Sequence, residues 1–127
     1  MRFSTRAEYG LRAMANLAQN YPKCISVKDI SKVEGISVKY LERLIQELRK
    51  NNLVKSSKGK NGGYTLARNP KLLKVGKIVE TLEGTIAPMK CNEAHCKIGG
   101  CSSRMVWNKL EIQIRKTLYG IKLSELI

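Results

Sequence analysis

Apolar residues recur at helical spacing in the first part of the chain. Thr5 and Glu8 have the spacing of a capping box, which predicts a helix starting at Thr5 and running to about Asn20. The apolar positions of this helix are Leu11, Met14, Ala15 and Ala18.

Two shorter helices are predicted next, separated by a glycine. Ser26 is placed to cap a helix through Val27, Ile30 and Val33, and Gly35 is placed to end it in a left-handed conformation. Ser37 is then expected to cap a third helix, which should stop at about residue 51. The apolar positions of that helix are Leu41, Leu44, Ile45 and Leu48. Two helices joined by a tight turn predict a helix-turn-helix over residues 27–50, although a plain helical hairpin has the same pattern.

A basic hairpin is predicted after these helices. Residues 53–57 and 64–67 have the character of short strands, and the polar, glycine-rich tip 58–63 joins them. We interpret 53–67 as a wing and residues 1–84 as a winged helix-turn-helix domain; an ordinary surface hairpin is the alternative. The predicted DNA-binding residues on the third helix and the wing are Ser37, Lys39, Tyr40, Glu42, Arg43, Lys58, Lys60 and Gly62.

The second half of the chain contains two further helical segments. Residues 75–82 predict a short helix, and residues 103–127 predict a long amphipathic one. Its apolar stripe is Trp107, Leu110, Ile114, Leu118 and Ile121. We expect this helix to form a homodimer interface, because paired DNA half-sites need a two-fold dimer; packing against the first helix is the alternative. The expected fold is mostly α with a small β-hairpin wing and a C-terminal dimerisation helix.

The charge of the chain favours nucleic acid as a partner. Its 127 residues carry a net charge of +14, and residues 1–77 hold 17 of the basic side chains but only 5 acidic ones. Such density attracts double-stranded DNA, although it would also suit an anionic membrane surface or simple solubility. The N-terminal residues lack the apolar run of a signal peptide, and no segment has the roughly 20 apolar residues that span a bilayer. We therefore expect a cytoplasmic protein with no membrane partner.

Three cysteines lie close together before the last helix. Cys91, Cys96 and Cys101 form a C-x4-C-x4-C pattern in the polar segment 85–102, which suggests metal ligands or redox groups. Structural zinc is one possibility, and thiols that only form disulfides under control of a partner protein are another. Cys24 is expected to be a small buried residue. With one histidine and no phosphate loop, an enzyme is the weakest interpretation.

Together these residues resemble the Rrf2 family of bacterial winged-helix regulators over nearly the whole chain. The matching stretches are residues 1–12, 36–44, 48–54 and 59–68, followed by the three cysteines. The resemblance implies a homodimeric transcription regulator whose cysteines hold an iron-sulfur cluster, either [2Fe-2S] or [4Fe-4S]. The fourth ligand differs among members.

The chain departs from the family pattern at the cysteines. Each spacing is one residue shorter than the commonest arrangement, and Arg104 occupies the place of a histidine ligand in IscR-like members. The only histidine, His95, adjoins Cys96, which disfavours both binding one iron. By resemblance to NsrR-like members, Glu8 of the partner subunit is a candidate fourth ligand. The alternative for Glu8 is the capping box.

Overall fold

The computed structural model describes residues 2–89 and 99–127. Within them, the chain forms five α-helices and a two-stranded hairpin, which confirms the predicted fold class. The elements are α1 (Thr5–Asn20), α2 (Val27–Glu34), α3 (Val38–Lys50), β1 (Val54–Ser57), β2 (Gly63–Leu66), α4 (Val75–Glu83) and α5 (Arg104–Tyr119). Short 3-10 turns cover Pro70–Leu72 and Leu123–Leu126.

The first helix is capped one residue earlier than predicted. Ser4, not Thr5, is the N-cap, and its hydroxyl accepts a hydrogen bond from the Ala7 amide at 3.2 Å. The Ser4 amide donates to Glu83 Oε1 of α4 at 2.5 Å, so a residue from the far end of the domain satisfies it. The prediction of a capping box between Thr5 and Glu8 was therefore wrong, because the two hydrogen bonds that define such a box are not formed.

The helix-turn-helix forms as the local signals predicted. Ser26 and Ser37 cap α2 and α3 through bonds from the Asp29 and Tyr40 amides, and Gly35 has a φ of +67°. The third helix buries the four predicted apolar residues, and α2 buries only Ile30. Val33 lies on the outer side of α2 and is 74% exposed. A single buried residue explains why α2 depends on α1 and α3 for its position.

The wing contains a strand contact that the sequence patterns did not predict. β1 and β2 pair antiparallel, with Val54 opposite Leu66 and Ser57 opposite Gly63. On its other side, β2 pairs with the segment before α2, since Tyr64 and Ile25 exchange two backbone hydrogen bonds of 2.8 Å. The hairpin is thereby fixed to the start of the helix-turn-helix. Cys24, beside this contact, is only half-buried, so the prediction that it is buried was wrong.

The last helix packs on α4 through one close approach and one ion pair. A Cβ at Gly76 would lie 2.3 Å from Cδ2 of Tyr119, so only glycine lets this ring rest on the α4 backbone. Arg115 Nη2 lies 2.9 Å from Glu80 Oε2, and the Tyr119 hydroxyl donates to Glu80 Oε1 at 2.5 Å. The Tyr119 hydroxyl and Arg115 lower the pKa of Glu80, whereas burial and the neighbouring carboxylate raise the pKa of Tyr119.

The C-terminal helix is shorter than predicted, because it ends at Tyr119 and not near residue 127. The chain then turns back onto the domain: the Val75 amide donates to the Ile121 carbonyl, and the Leu123 amide donates to the Leu73 carbonyl. Leu123 is completely buried in the core formed by the other helices. Residues 121–126 therefore form a strap that fastens the end of α5 to the DNA-binding domain.

Candidate nucleic-acid interface and cysteine segment

The polar side of α3 is open, as predicted. Ser37, Lys39, Glu42 and Arg43 are exposed, while Leu41, Leu44, Ile45 and Leu48 anchor the opposite side. The Ser37 hydroxyl accepts from the Tyr40 amide, so it fixes the start of the helix. Lys39, Glu42 and Arg43 make no side-chain hydrogen bond or ion pair within residues 2–89 and 99–127. Their polar ends are therefore available to a ligand.

Tyr40 differs from the other predicted contact residues because it is half-buried. Its ring meets the ring of Tyr9 on α1 edge to face, with centroids 5.9 Å apart and an interplanar angle of 88°. The guanidinium of Arg12 lies 5.5 Å from the centroid of Tyr9. Tyr40 thus has an intramolecular contact as well as a place beside the open face.

A groove of about 830 Å³ runs beside α3. It is lined by α3 together with Arg6 of α1, Tyr64 of β2 and Thr81 and Leu82 of α4. These four residues were not among the predicted site residues. Arg6 contributes to the basic charge of the N-terminal half, but no sequence pattern around the other three residues predicts that they lie at the site.

The wing tip presents positive charge. Lys55, Lys58 and Lys60 are exposed, and no charged partner approaches them in the described parts of the chain. Gly62 has a structural function at this tip, since its amide donates to the Gly59 carbonyl and a Cβ would lie 2.5 Å from the Ser57 carbonyl oxygen. Glycine is therefore needed to close the turn that projects the lysines.

Only one member of the cysteine pattern can be described. Cys101 is half-buried just before α5, with its Sγ 3.1 Å from the hydroxyl of Ser103. Hydrogen bonding from Ser103, supported by Arg104, lowers the pKa of the Cys101 thiol, and the thiolate is the form that binds metals. Cys91, Cys96 and His95 lie outside the described residues. No cluster of three or more potential metal ligands forms within the described ranges.

Glu8 is exposed on the first turn of α1. Its carboxylate makes no hydrogen bond or ion pair with any residue that the structure describes. The hydrogen bond from the Thr5 backbone amide to the Glu8 carboxylate, which the capping-box alternative required, is absent. The carboxylate is thus free to meet a group from outside its own chain.

The predicted dimer residues divide into two sets. Ile114 and Leu118 pack partly on the core of their own chain, whereas Trp107 is half-buried and Leu110 is 37% exposed. The helix buries no residue completely. Three further exposed apolar residues, which the predicted stripe did not include, are Met105, Val106 and Ile112.

A small apolar cleft lies beside the C-terminal half of α5. It has a volume of about 280 Å³. Its lining residues are Phe3, Gln113, Ile114, Thr117 and Leu118. The described residues contain no helix long and apolar enough to cross a membrane.

Comparison with known proteins identifies the family. Residues 3–127 match the family described as Rrf2, iron-dependent transcriptional regulator. The protein Rrf2 of Nitratidesulfovibrio vulgaris is 36% identical over 131 residues, covering all of this chain and 87% of that protein. The match spans both the helix-turn-helix and the cysteine segment.

Two solved structures share the fold. The IscR structure from T. potens has 38% identity and a TM-score of 0.83, covering 99% of this chain and 85% of that one. CymR of B. subtilis, described as a global cysteine regulator, has 31% identity and a TM-score of 0.86, covering 99% and 95%. The winged helix is therefore a DNA-binding module of a regulator and not part of an enzyme. This chain belongs to the Rrf2 family of transcription regulators.

Proposed function

We propose that this regulator binds a double-stranded DNA operator as a homodimer in the cytoplasm, and that an iron-sulfur cluster on Cys91, Cys96 and Cys101 controls its affinity. The observation that carries the proposal is the position of α5. It begins three residues after Cys101 and buries none of its side chains completely within its own chain. A chemical change at the cysteines would therefore occur next to a helix whose apolar side chains are not fully covered within their own chain.

The DNA contacts follow from the open face of α3. An α-helix fits the major groove, where Arg43 and Lys39 can donate to guanine and Glu42 can accept from cytosine. Lys58 and Lys60 at the wing tip suit phosphate oxygens, which fix the orientation of the domain without reading sequence. The net positive charge of residues 1–77 adds a salt-dependent attraction to any duplex.

The homodimer follows from the apolar surface of α5. Leu110 and Val106 are exposed, and the cleft that contains Phe3 continues this surface towards Leu118. Pairing with the same surface of a second chain would remove these side chains from water. It would also place two α3 helices at a fixed separation, as two half-sites require.

The donor set fits an iron-sulfur cluster. Three cysteine thiolates and one further ligand are what such a cluster requires, and Ser103 and Arg104 favour the thiolate of Cys101. We propose Glu8 of the partner subunit as the fourth ligand, since its carboxylate is exposed and has no partner among the described residues. When bound, the cluster would supply a redox-reactive and nitric-oxide-reactive centre.

The test combines metal analysis with DNA binding. Protein purified without oxygen is analysed for visible absorption, iron, sulfide and zinc, and its affinity is measured for a duplex selected from a random library. We expect a brown protein with matching iron and sulfide, and an affinity that differs at least about tenfold between the loaded and the metal-free form. Equal affinities would overturn control by the cluster, and no sequence preference in either form would overturn operator recognition.

A second candidate is a regulator controlled by thiol oxidation or by a protein partner, without a cluster. The structural similarity to CymR, a protein described as a global cysteine regulator, favours this alternative. A zinc-stabilised regulator is a related possibility. Stoichiometric zinc, or no metal after attempted reconstitution, would support these alternatives over an iron-sulfur sensor.

The separate functions assigned to α3 and the wing predict different mutational effects. Arg43→Ala should cost about 1–3 kcal/mol on the preferred duplex and relax base preference at one position, because it removes a base contact. Lys58→Ala should weaken binding to all duplexes alike and reduce the salt slope by about 1, because it removes a phosphate contact. Titrations at several salt concentrations distinguish these effects. If Arg43→Ala behaved like Lys58→Ala, the assignment of α3 as the reading helix would be wrong.

A further inference from the structure

A polar connection between α1 and the helix-turn-helix lies outside the hydrophobic core. Arg12 Nε is 3.5 Å from Glu34 Oε1, and the Arg12 guanidinium also donates to the Glu34 carbonyl. The other carboxylate oxygen of Glu34 accepts a hydrogen bond from Asn16 Nδ2 at 3.0 Å. Since Glu34 is the last residue of α2, α1 holds the point at which the chain enters the turn.

The other side of the same turn is held by an aromatic contact. Tyr40 lies in the first turn of α3, and its ring packs edge to face on Tyr9, an arrangement that aromatic pairs favour. Arg12 contacts this pair as well, because its guanidinium lies over the ring of Tyr9. Arg12 therefore contacts the C-terminal end of α2 directly and the first turn of α3 through Tyr9.

The geometry points to Tyr9 and Arg12 as positioning residues for DNA recognition, an inference that rests on the proposed binding of DNA by α3. We call Tyr9, Arg12, Glu34 and Tyr40 the turn clamp. Tyr9, Arg12 and Glu34 are not expected to read a base. The clamp fixes the angle between α2 and α3, and with it the placement of Lys39, Glu42 and Arg43 against base edges.

The clamp can be separated from the general stability of the domain. α1 is anchored to the core by completely buried residues on its other side, including Ala13, Met14 and Leu17. Arg12, in contrast, has 43% of its side chain exposed. Removing the Arg12 guanidinium leaves that core intact. The main effect of the substitution should therefore be on how precisely α3 places Lys39, Glu42 and Arg43 against the bases.

The experiment measures discrimination between duplexes. The full chain binds a duplex selected from a random library and a shuffled duplex of the same composition, at several salt concentrations. Arg12→Gln and Tyr9→Leu should each lower the affinity ratio of selected over shuffled duplex by about tenfold, with the salt slope on the shuffled duplex unchanged. The double variant should lose less than the product of the two single losses, because both act through one contact.

Two controls identify the cause of any loss. Tyr9→Phe keeps the ring and should retain the wild-type ratio, whereas Lys71→Gln removes an exposed positive charge outside the groove and the wing tip and should also retain it. Thermal unfolding establishes that each variant is folded at the temperature of the titration. Wild-type discrimination in folded Arg12→Gln would overturn the clamp and leave the proposed function standing. A wild-type chain that selects no duplex would overturn both.

Discussion

Replacing Cys101 by serine is expected to abolish the iron and sulfide content of the protein purified without oxygen. The cluster should be lost when one of its three thiolates becomes an alcohol, since a neutral serine hydroxyl is a much weaker ligand for iron than a cysteine thiolate. Ser103 and Arg104 already favour the thiolate form of Cys101 in the described structure. Visible absorption and the iron and sulfide contents per chain measure the loss, which should be close to complete.

Matched variants test the specificity of that result. Cys24→Ser removes a half-buried thiol from the segment before α2 and should leave the iron content unchanged. Glu8→Ala should shorten the lifetime of the bound cluster in air if Glu8 is a ligand, whereas Glu42→Ala should not. Full iron and sulfide in Cys101→Ser would contradict the proposed ligand set, because the other two cysteines would then be sufficient.

Leu123→Ala is expected to lower the free energy of unfolding by about 2–5 kcal/mol. Leu123 has no exposed surface and is one of the largest completely buried side chains in the described core. Its truncation leaves a cavity where the strap meets the rest of the domain. Urea unfolding at fixed protein concentration measures the change, because any association between chains contributes to apparent stability.

Leu126, three residues after Leu123, provides the control for this prediction. It belongs to the same 3-10 turn but is 42% exposed, so Leu126→Ala should cost much less than Leu123→Ala. Equal effects of the two substitutions would contradict the burial of Leu123 and the attachment of the strap to the core.

Local sequence signals predicted most of the N-terminal fold. The caps at Ser26 and Ser37 and the left-handed Gly35 depend on atoms within a few residues, so their spacing is sufficient to identify them. The start of α1 at Thr5 was predicted correctly, but its N-cap was misplaced by one residue, because the Ser4 amide is satisfied by Glu83, 79 residues away. The end of α5 was misplaced because residues 121–126 join a surface formed by Leu73 and Val75.

The candidate site was predictable where a single local element presents it, as α3 and the wing tip do. Lys39, Glu42 and Arg43 follow from the polar face of α3, whereas Arg6, Tyr64 and Thr81 reach the groove from three other elements. No periodicity within α1, β2 or α4 marks those residues, since their proximity arises from tertiary packing. The same reason explains why the packing of Tyr40 on Tyr9 was not predicted.

The attachment of α5 at one end has a mechanical consequence. The strap, Tyr119 and Arg115 hold its C-terminal half, while the N-terminal half carries exposed apolar side chains next to Cys101. A helix of 16 residues is about 24 Å long, so a rotation of about 10° around the held end would displace the other end by about 4 Å. The helix would therefore act as a lever that pivots where α4 and the strap hold it, and a small rotation at this held end would correspond to a larger displacement beside Cys101.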